Sequence, residues 1–165
     1  MDVQQILRPL QQFEEKLGEL YAWLAGVHAA DAEVASAFRR LARDERSHAA
    51  QVEYQRRLVR QNPRLFNEVA LDLAEVFAGL DRIEKIRANL EPPGADEAIR
   101  IALELESSAA DYHYRNAIAQ LDPDMARLLG SLGRADRQHY ETLLELAQDR
   151  GLLGPDTPVP SPPPI

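Results

Sequence analysis

The sequence has 165 residues, a formal net charge of −8 and no cysteine, and its isoelectric point is about 5.0. This acidity argues against a nucleic-acid or anionic-membrane partner, because both carry negative charge. The lack of cysteine excludes disulfides, thiolate metal sites, iron–sulfur clusters and thiol catalysis within this sequence.

Alanine, leucine, glutamate, arginine and glutamine dominate, whereas strand-forming residues are sparse. This composition predicts an all-α domain. No apolar run approaches the ~18–20 residues of a membrane span, and the first residues lack the basic and apolar regions of a signal peptide. We therefore expect a cytoplasmic protein without a membrane partner.

The first predicted helix runs from about Asp2 to His28. Its apolar residues follow the spacing of a heptad repeat and are Leu7, Leu10, Leu17, Tyr21 and Leu24. Glu14 occupies the position on this seam where a hydrophobic residue is expected. Glu15 lies beside the seam, so Glu14 is the candidate functional residue.

The second predicted helix begins after Asp31, a natural N-cap, and runs to about Arg60, where Asn62 and Pro63 end it. The short connection from the first helix predicts an antiparallel pair. Its seam contains Val34, Phe38, Leu41 and Val52. Glu45 and His48 fall on the same seam, where an unpaired charge would cost several kcal/mol.

An amphipathic stretch from Phe66 to Asn89 predicts a helical crossover on the outside of a bundle. Its apolar face is expected to contain Val69, Leu73, Val76, Phe77, Leu80 and Ile83. It carries no carboxylate–histidine pair, and a break at residues 91–94 follows.

The third predicted helix runs from Glu97 to about Gln120, with Asp96 as the expected cap. Its seam reads Ile99, Leu103, Glu106, Ala110, His113 and Ala117. Glu106 thus repeats the anomaly of Glu14, whereas Glu104 lies off the seam and is expected to be solvated.

The fourth predicted helix opens with Asp122 and Pro123, a cap residue followed by proline in the first turn. Its seam contains Met125, Leu129, Leu132, Leu143 and Leu146, and between them Asp136 and His139. Glycines at 151 and 154 end it. Residues 155–165 include six prolines and are expected to be extended or disordered. We therefore predict a bundle domain at 1–150 and a proline-rich tail at 151–165.

The two halves of the chain resemble each other. An offset of 91 residues superimposes Glu45 on Asp136 and His48 on His139, and an offset of 92 superimposes Glu14 on Glu106. Two helix pairs, each with a seam glutamate and a carboxylate-x-x-His motif, indicate a duplicated hairpin.

A carboxylate and a histidine three residues apart project from the same face of a helix. Four carboxylates and two histidines pointing into one bundle are typical of proteins with two carboxylate-bridged metals, and oxygen and imidazole ligands suit Fe, Mn or Zn. The alternative is a metal-free bundle, used for assembly or protein interaction, whose polar seam residues bond to each other or to water.

These motifs resemble the ferritin-like superfamily, most closely its rubrerythrin and bacterioferritin branch, over roughly residues 5–148. The matching residues are Glu14 with Tyr21 seven positions on, Glu45-Arg46-Ser47-His48, Glu106, and Asp136-Arg137-Gln138-His139. The resemblance implies an antiparallel four-helix bundle with a long helical crossover and a di-iron centre. It also implies terminal ligands at Glu14 and Glu106, bridges at Glu45 and Asp136, and one metal on each of His48 and His139.

The resemblance further implies two Fe ions, with Mn or Zn as alternatives, that react with O2 or H2O2 as in a ferroxidase or a peroxidase. It favours a homodimer and requires an external electron donor, since full-length rubrerythrins carry a cysteine-rich iron domain that is lacking in this sequence. Tyr21 is the candidate catalytic residue, either as a redox tyrosine or as a core tyrosine bonded to a ligand carboxylate.

Two further departures from the family pattern affect the site. Asp136 stands where glutamate is usual, and its side chain is one methylene shorter, so bridging is in question. His113, flanked by Tyr112 and Tyr114, stands where the family has a tyrosine. It is interpreted either as a core polar residue or as an additional or alternative ligand.

Overall fold

A computed structural model describes residues 3–62, 69 and 71–154. These residues form five α-helices and no strand, as the composition predicted. The helices are α1 (Val3–Val27), α2 (Ala32–Gln61), α3 (Leu73–Ala88), α4 (Ala95–Ala119) and α5 (Pro123–Asp149). The crossover is thus α3, and the third and fourth predicted helices are α4 and α5.

Aspartates begin two helices of the bundle, as predicted. The Asp31 carboxylate accepts a hydrogen bond from the Val34 amide at 3.2 Å, and that of Asp122 accepts one from the Met125 amide at 2.8 Å. These bonds satisfy amide groups that have no partner within the helix.

The predicted start of α4 is wrong. Its N-cap is Gly94, in an extended conformation, and Asp96 lies in the first turn of the helix. The helix begins at Ala95 because Gly94 ends the break that precedes it. At this position the negative charge of Asp96 interacts favourably with the positive end of the helix dipole, and the carboxylate pairs with Arg150.

The crossover helix is shorter than predicted. Val69, Leu71 and Asp72 are not helical, because the Asp72 side chain caps the helix at Leu73 by accepting from the Ala74 amide at 3.1 Å. Phe66 lies outside the described residues. Val76 and Ile83 are buried as expected, but Phe77 is 53% exposed, since α3 rests on the bundle through a narrow face.

Each sequential helix pair is antiparallel. In the first pair, Gln11 bonds Arg56, whereas Gly18, two turns further along α1, packs on Glu45. A Cβ atom at position 18 would lie 3.2 Å from the Glu45 Cβ, so the glycine lets α2 approach α1 closely at this level.

The two pairs also meet in antiparallel fashion. Tyr21 of α1 bonds Glu106 of α4, and Arg40 of α2 bonds Thr142 of α5. Helices α2 and α4 therefore run in the same direction, so the chain must return along the whole bundle between them. The crossover that contains α3, packed against α1, makes this return, and the architecture is a ferritin-like helical bundle.

The heptad seams form the core. Leu7, Leu10, Leu17, Tyr21 and Leu24 of α1 are fully buried, as are their counterparts Val34, Phe38 and Leu41 of α2. Each large apolar side chain buried in this way stabilises the fold by about 1.5–3 kcal/mol. This apolar core surrounds the polar seam residues on both sides along the bundle axis.

The chain leaves α5 through Arg150 and Gly151, which has a positive φ of 66° that suits glycine. The predicted tail at 155–165 lies outside the described residues, so the division at residue 150 stays a prediction. Within the described ranges, none of the helices combines the length and apolarity needed to cross a membrane.

Candidate metal centre

The six predicted ligand residues lie together in the middle of the bundle. Each is at most 5% exposed, although each is ionisable. They are Glu14 on α1, Glu45 and His48 on α2, Glu106 on α4, and Asp136 and His139 on α5. The four bundle helices thus all contribute to one buried polar centre.

The ligand atoms converge in two groups. Glu14, Glu45 and His48 form one group, and Glu45, Glu106, Asp136 and His139 form the other. Within each group, one oxygen or nitrogen atom of every member lies within 4.8 Å of the others. Glu45 belongs to both groups and therefore sits between two adjacent positions suited to a cation.

In the first group, the imidazole of His48 contacts both carboxylates. Its Nδ1 lies 2.9 Å from Glu45 Oε2 and 3.6 Å from Glu14 Oε2. Because Glu45 and His48 are one helical turn apart, α2 alone supplies two donors. Glu14 completes the group from across the α1–α2 interface.

The second group has a similar arrangement around His139. Its Nδ1 lies 3.0 Å from Glu45 Oε1 and 3.4 Å from Glu106 Oε2. The rings of His48 and His139 are stacked with their centroids 5.5 Å apart. The two histidines therefore face the shared Glu45 from opposite groups.

Many of these inward-facing atoms make no hydrogen bond with the described residues. They are Glu14 Oε1 and Oε2, Glu45 Oε1, Glu106 Oε2, Asp136 Oδ1 and His139 Nδ1. Buried polar atoms without partners are rare in folded proteins, because each costs free energy. A cation would satisfy them, and the charge of four carboxylates balances that of two divalent ions. The donor set therefore fits two metals.

The histidines are strongly basic in the metal-free centre. Burial lowers the pKa of His48, but the carboxylates of Glu14 and Glu45 outweigh burial and raise this pKa to about 10. Burial likewise opposes Glu106 and Glu45 at His139, and the net effect raises its pKa to about 11. Near neutral pH, both imidazoles thus hold a proton that a metal would displace.

The carboxylates show the opposite balance. Burial raises the pKa of Glu14 despite the nearby histidines, and it raises the pKa of Glu106 despite contact with His139. At Asp136, burial together with the charges of Glu14 and Glu45 raises the pKa well above its usual value. Without cations, these three acidic groups thus tend to retain their protons.

Tyr21 is fully buried and donates a hydrogen bond of 2.6 Å to Glu106 Oε1. Burial first, and then the charge of Glu106, raises the pKa of this phenol well above its usual value. Tyr21 therefore stays a protonated donor that orients Glu106.

His113 also lies in this centre, fully buried. Its Nδ1 is 2.6 Å from Asp136 Oδ2, and its Nε2 is 3.4 Å from Glu14 Oε1. Burial lowers the pKa of His113. The ring is absent from both groups of converging ligand atoms, and it instead connects two of their carboxylates.

The heptad phase separated the paired acidic residues correctly. Glu14 is buried, whereas Glu15 is exposed and accepts a hydrogen bond from Gln11. Likewise Glu106 is buried, whereas Glu104 is exposed and pairs with Arg82. In each case only the residue on the seam reaches the centre.

Asp44 was not recognised from the sequence. Its Oδ2 lies 3.5 Å from His139 Nε2, so it faces the outer nitrogen of a ring whose inner nitrogen points to the carboxylates. Metal-binding histidines commonly have such a carboxylate partner. The contact joins α2 to α5, so spacing along α2 does not reveal it. The only signal in the sequence was the position of Asp44 next to Glu45.

Comparison with known proteins agrees with this geometry. A family model described as Rubrerythrin matches residues 12–147, which include all six predicted ligands. No curated protein matches the chain significantly, and no solved structure does so. The match covers most of the chain and includes the residues of the buried carboxylate–histidine centre, so the chain belongs to the rubrerythrin family.

Proposed function

We propose that this protein is a di-iron carboxylate protein that binds two Fe(II) ions in its bundle and reacts with O2 or H2O2. The observation that supports this proposal most directly is the convergence of buried carboxylate oxygens that lack hydrogen bonds within the described residues. One of these carboxylates, Glu45, belongs to both groups of ligand atoms. Mn or Zn would fit the same oxygen and imidazole donors.

In this proposal Glu14, Glu45 and His48 hold one ion, and Glu45, Glu106, Asp136 and His139 hold the other. Two bound Fe(II) ions would supply two electrons, which together with two protons would reduce O2 to H2O2 or H2O2 to two water molecules, and both ions would become Fe(III). The chain fixes the ligands on four helices and keeps the centre dry, which limits reorganisation. Tyr21 orients Glu106 and donates a hydrogen bond beside the reacting site.

We further propose, from the family resemblance, that an external donor returns electrons to the centre. Family resemblance also underlies our expectation of a homodimer, whereas the expected cytoplasmic location comes from the sequence pattern. Light scattering tests the dimer, because the mass in solution should be twice the chain mass of 18.5 kDa.

The proposal predicts two Fe(II) ions per chain in an anaerobic titration. Glu45→Ala should weaken both sites, because both groups use its carboxylate. Glu14→Ala and Glu106→Ala should each weaken one site. Glu15→Ala and Glu104→Ala are matched controls, since these neighbours are exposed, and both should bind two ions as the unmodified protein does.

A metal-free bundle used for assembly or interaction is the competing function. It predicts far fewer than two ions per chain, or binding that is unchanged in Glu45→Ala and His48→Ala. Either result would overturn the di-iron proposal. If two ions do bind, the Fe(II)-loaded protein can be mixed with O2 or with H2O2. The oxidant that produces the Fe(III) absorbance faster would distinguish a ferroxidase from a peroxidase.

A further inference from the structure

His113 interrupts the internal symmetry of the centre. The offset of 92 residues that relates Glu14 to Glu106 also relates Tyr21 to His113. Tyr21 bonds the glutamate of the opposite half at 2.6 Å. The Nε2 of His113 lies 3.4 Å from its equivalent partner, Glu14, whereas the Nδ1 makes the shorter contact with Asp136.

The partner of His113 also departs from symmetry. On α2, His48 pairs with Glu45, the carboxylate one turn before it. On α5, the nearest carboxylate to His139 is Glu45 of the other half, at 3.0 Å. Asp136, which precedes His139 by one turn, instead contacts His113 through its Oδ2.

The backbone brings His113 to this place. Gly133 lies one turn before Asp136 on α5, and a Cβ atom there would be 3.3 Å from the Cβ of His113 and 3.4 Å from the Tyr114 amide. The two helices therefore approach closely at this level. A short carboxylate on α5 and an imidazole on α4 fill the space together.

We propose that His113 is a positioning residue that holds Asp136 at the position formed with Glu106 and His139, so that Glu45 is the only protein carboxylate shared by both metals. With metal bound, Asp136 would be ionised and the His113 Nδ1–H would donate to its Oδ2. Asp136 Oδ1, which makes no hydrogen bond with the described residues, remains for the metal. This inference rests on the proposed metal function and refines it.

The consequence is an asymmetric centre. One position has four protein ligands, and the other has the three residues Glu14, Glu45 and His48. Two ions should therefore bind in two steps with different affinities. Loss of the His113 hydrogen bond should weaken only the four-ligand position, because Asp136 takes no part in the other.

Three variants separate the functions of the two ring nitrogens. Asn places its amide nitrogen where His113 has Nδ1, since both atoms are attached to Cγ, whereas Gln reaches towards the place of Nε2. Leu removes both. Titration with Co(II), followed by its visible absorption, reports stoichiometry and the coordination of each ion. Circular dichroism checks that each variant folds.

We expect His113→Leu to weaken one of the two Co(II) binding steps by about 10–100-fold, as for other residues that orient a metal ligand. His113→Asn should stay within about threefold of the unmodified protein, while His113→Gln should resemble His113→Leu. The effect of His113→Leu should persist in the Glu14→Ala background and vanish in the Glu106→Ala background.

Two results would overturn the inference and leave the metal function intact. In the first, His113→Leu binds two ions like the unmodified protein. In the second, His113→Gln retains affinity while His113→Asn loses it, so that the ring acts through Nε2 as a ligand or on Glu14. An unmodified protein that binds no Co(II) would instead overturn the proposed function itself, and this inference with it.

Discussion

At the scale of the residue, the centre places carboxylates and imidazoles where the bundle otherwise has leucine or valine. Removing such charges from water costs several kcal/mol for each ion unless they are paired. The hydrogen bonds of His48 with Glu45, of His113 with Asp136 and of Tyr21 with Glu106 compensate part of this cost, and so does the ion pair of His139 with Glu45. The carboxylate oxygens that still lack a hydrogen bond within the described residues are the physical reason to expect cations.

Tyr21→Phe should reduce the free energy of unfolding of the metal-free protein by about 1–3 kcal/mol. The reason is that a buried carboxylate oxygen of Glu106 loses its donor while the ring packing is kept. Urea denaturation measures the change. Tyr54→Phe is the control, since Tyr54 is 60% exposed and its substitution should have little effect. Equal losses in the two variants would contradict the assigned hydrogen bond.

At the scale of the helix, the local signals were reliable where cap and seam coincided. The starts of α2 and α5 followed from Asp31 and Asp122, because an aspartate cap acts on amides only two or three residues away. The start of α3 was misplaced, because the apolar spacing continued upstream of Asp72, whose carboxylate caps the helix. A heptad pattern alone does not show where a helix begins.

Asp122→Ala should destabilise the protein by about 0.5–2 kcal/mol, because two amides at the start of α5, those of Asp124 and Met125, lose their acceptor. Asp122→Asn should be nearly neutral, since asparagine caps as well as aspartate does. Chemical denaturation of both variants tests this. An equal loss in Asp122→Asn would show that charge, and not the cap, is responsible.

At the scale of the whole molecule, the centre ties the two halves of the chain together. Glu45 of the first half contacts His139 of the second, and Tyr21 contacts Glu106. A metal held by Glu45, Glu106, Asp136 and His139 would add a link between the halves that the unfolded chain cannot make, and a metal held by Glu14, Glu45 and His48 would tie α1 to α2. Metal binding should therefore appear as global stability.

Adding Mn(II) at one fixed concentration, a hundredfold above its Kd at pH 8, should raise the melting temperature at that pH by roughly 5–10 °C for each occupied site, and chelator should reverse this. The shift should be larger near pH 8 than near pH 6. His48 and His139 bind a proton more tightly in the metal-free fold, where their pKa values are about 10 and about 11, than in the unfolded chain, where the pKa is 6.5. The resulting stabilisation of the metal-free fold is complete below pH 6.5. This contribution is lost as pH rises towards 10–11.

Metal competes with the same protons, so its affinity rises over this pH range. This competition with protons enlarges the stabilisation by metal as pH increases. Thermal melts at the two pH values, with and without chelator, measure it. A shift that does not change with pH, or a melting temperature indifferent to Mn(II), would contradict the ligand role of the histidines.

The sequence by itself determined the all-α bundle and the six residues that meet at its centre, although it misplaced the starts of α3 and α4. It did so because heptad spacing is local: the phase of a seam distinguishes Glu14 from Glu15 and Glu106 from Glu104 without knowledge of any neighbour. The duplicated motif then indicated that these anomalies belong to one site.

Only the tertiary structure decided how the centre is shared. That Glu45 belongs to two groups, that Asp136 turns to His113, and that Asp44 faces His139 all depend on contacts between different helices. Such contacts depend on the length of each side chain and on the distance between helix axes, which a close approach at Gly133 sets. Spacing along one helix carries no information about either.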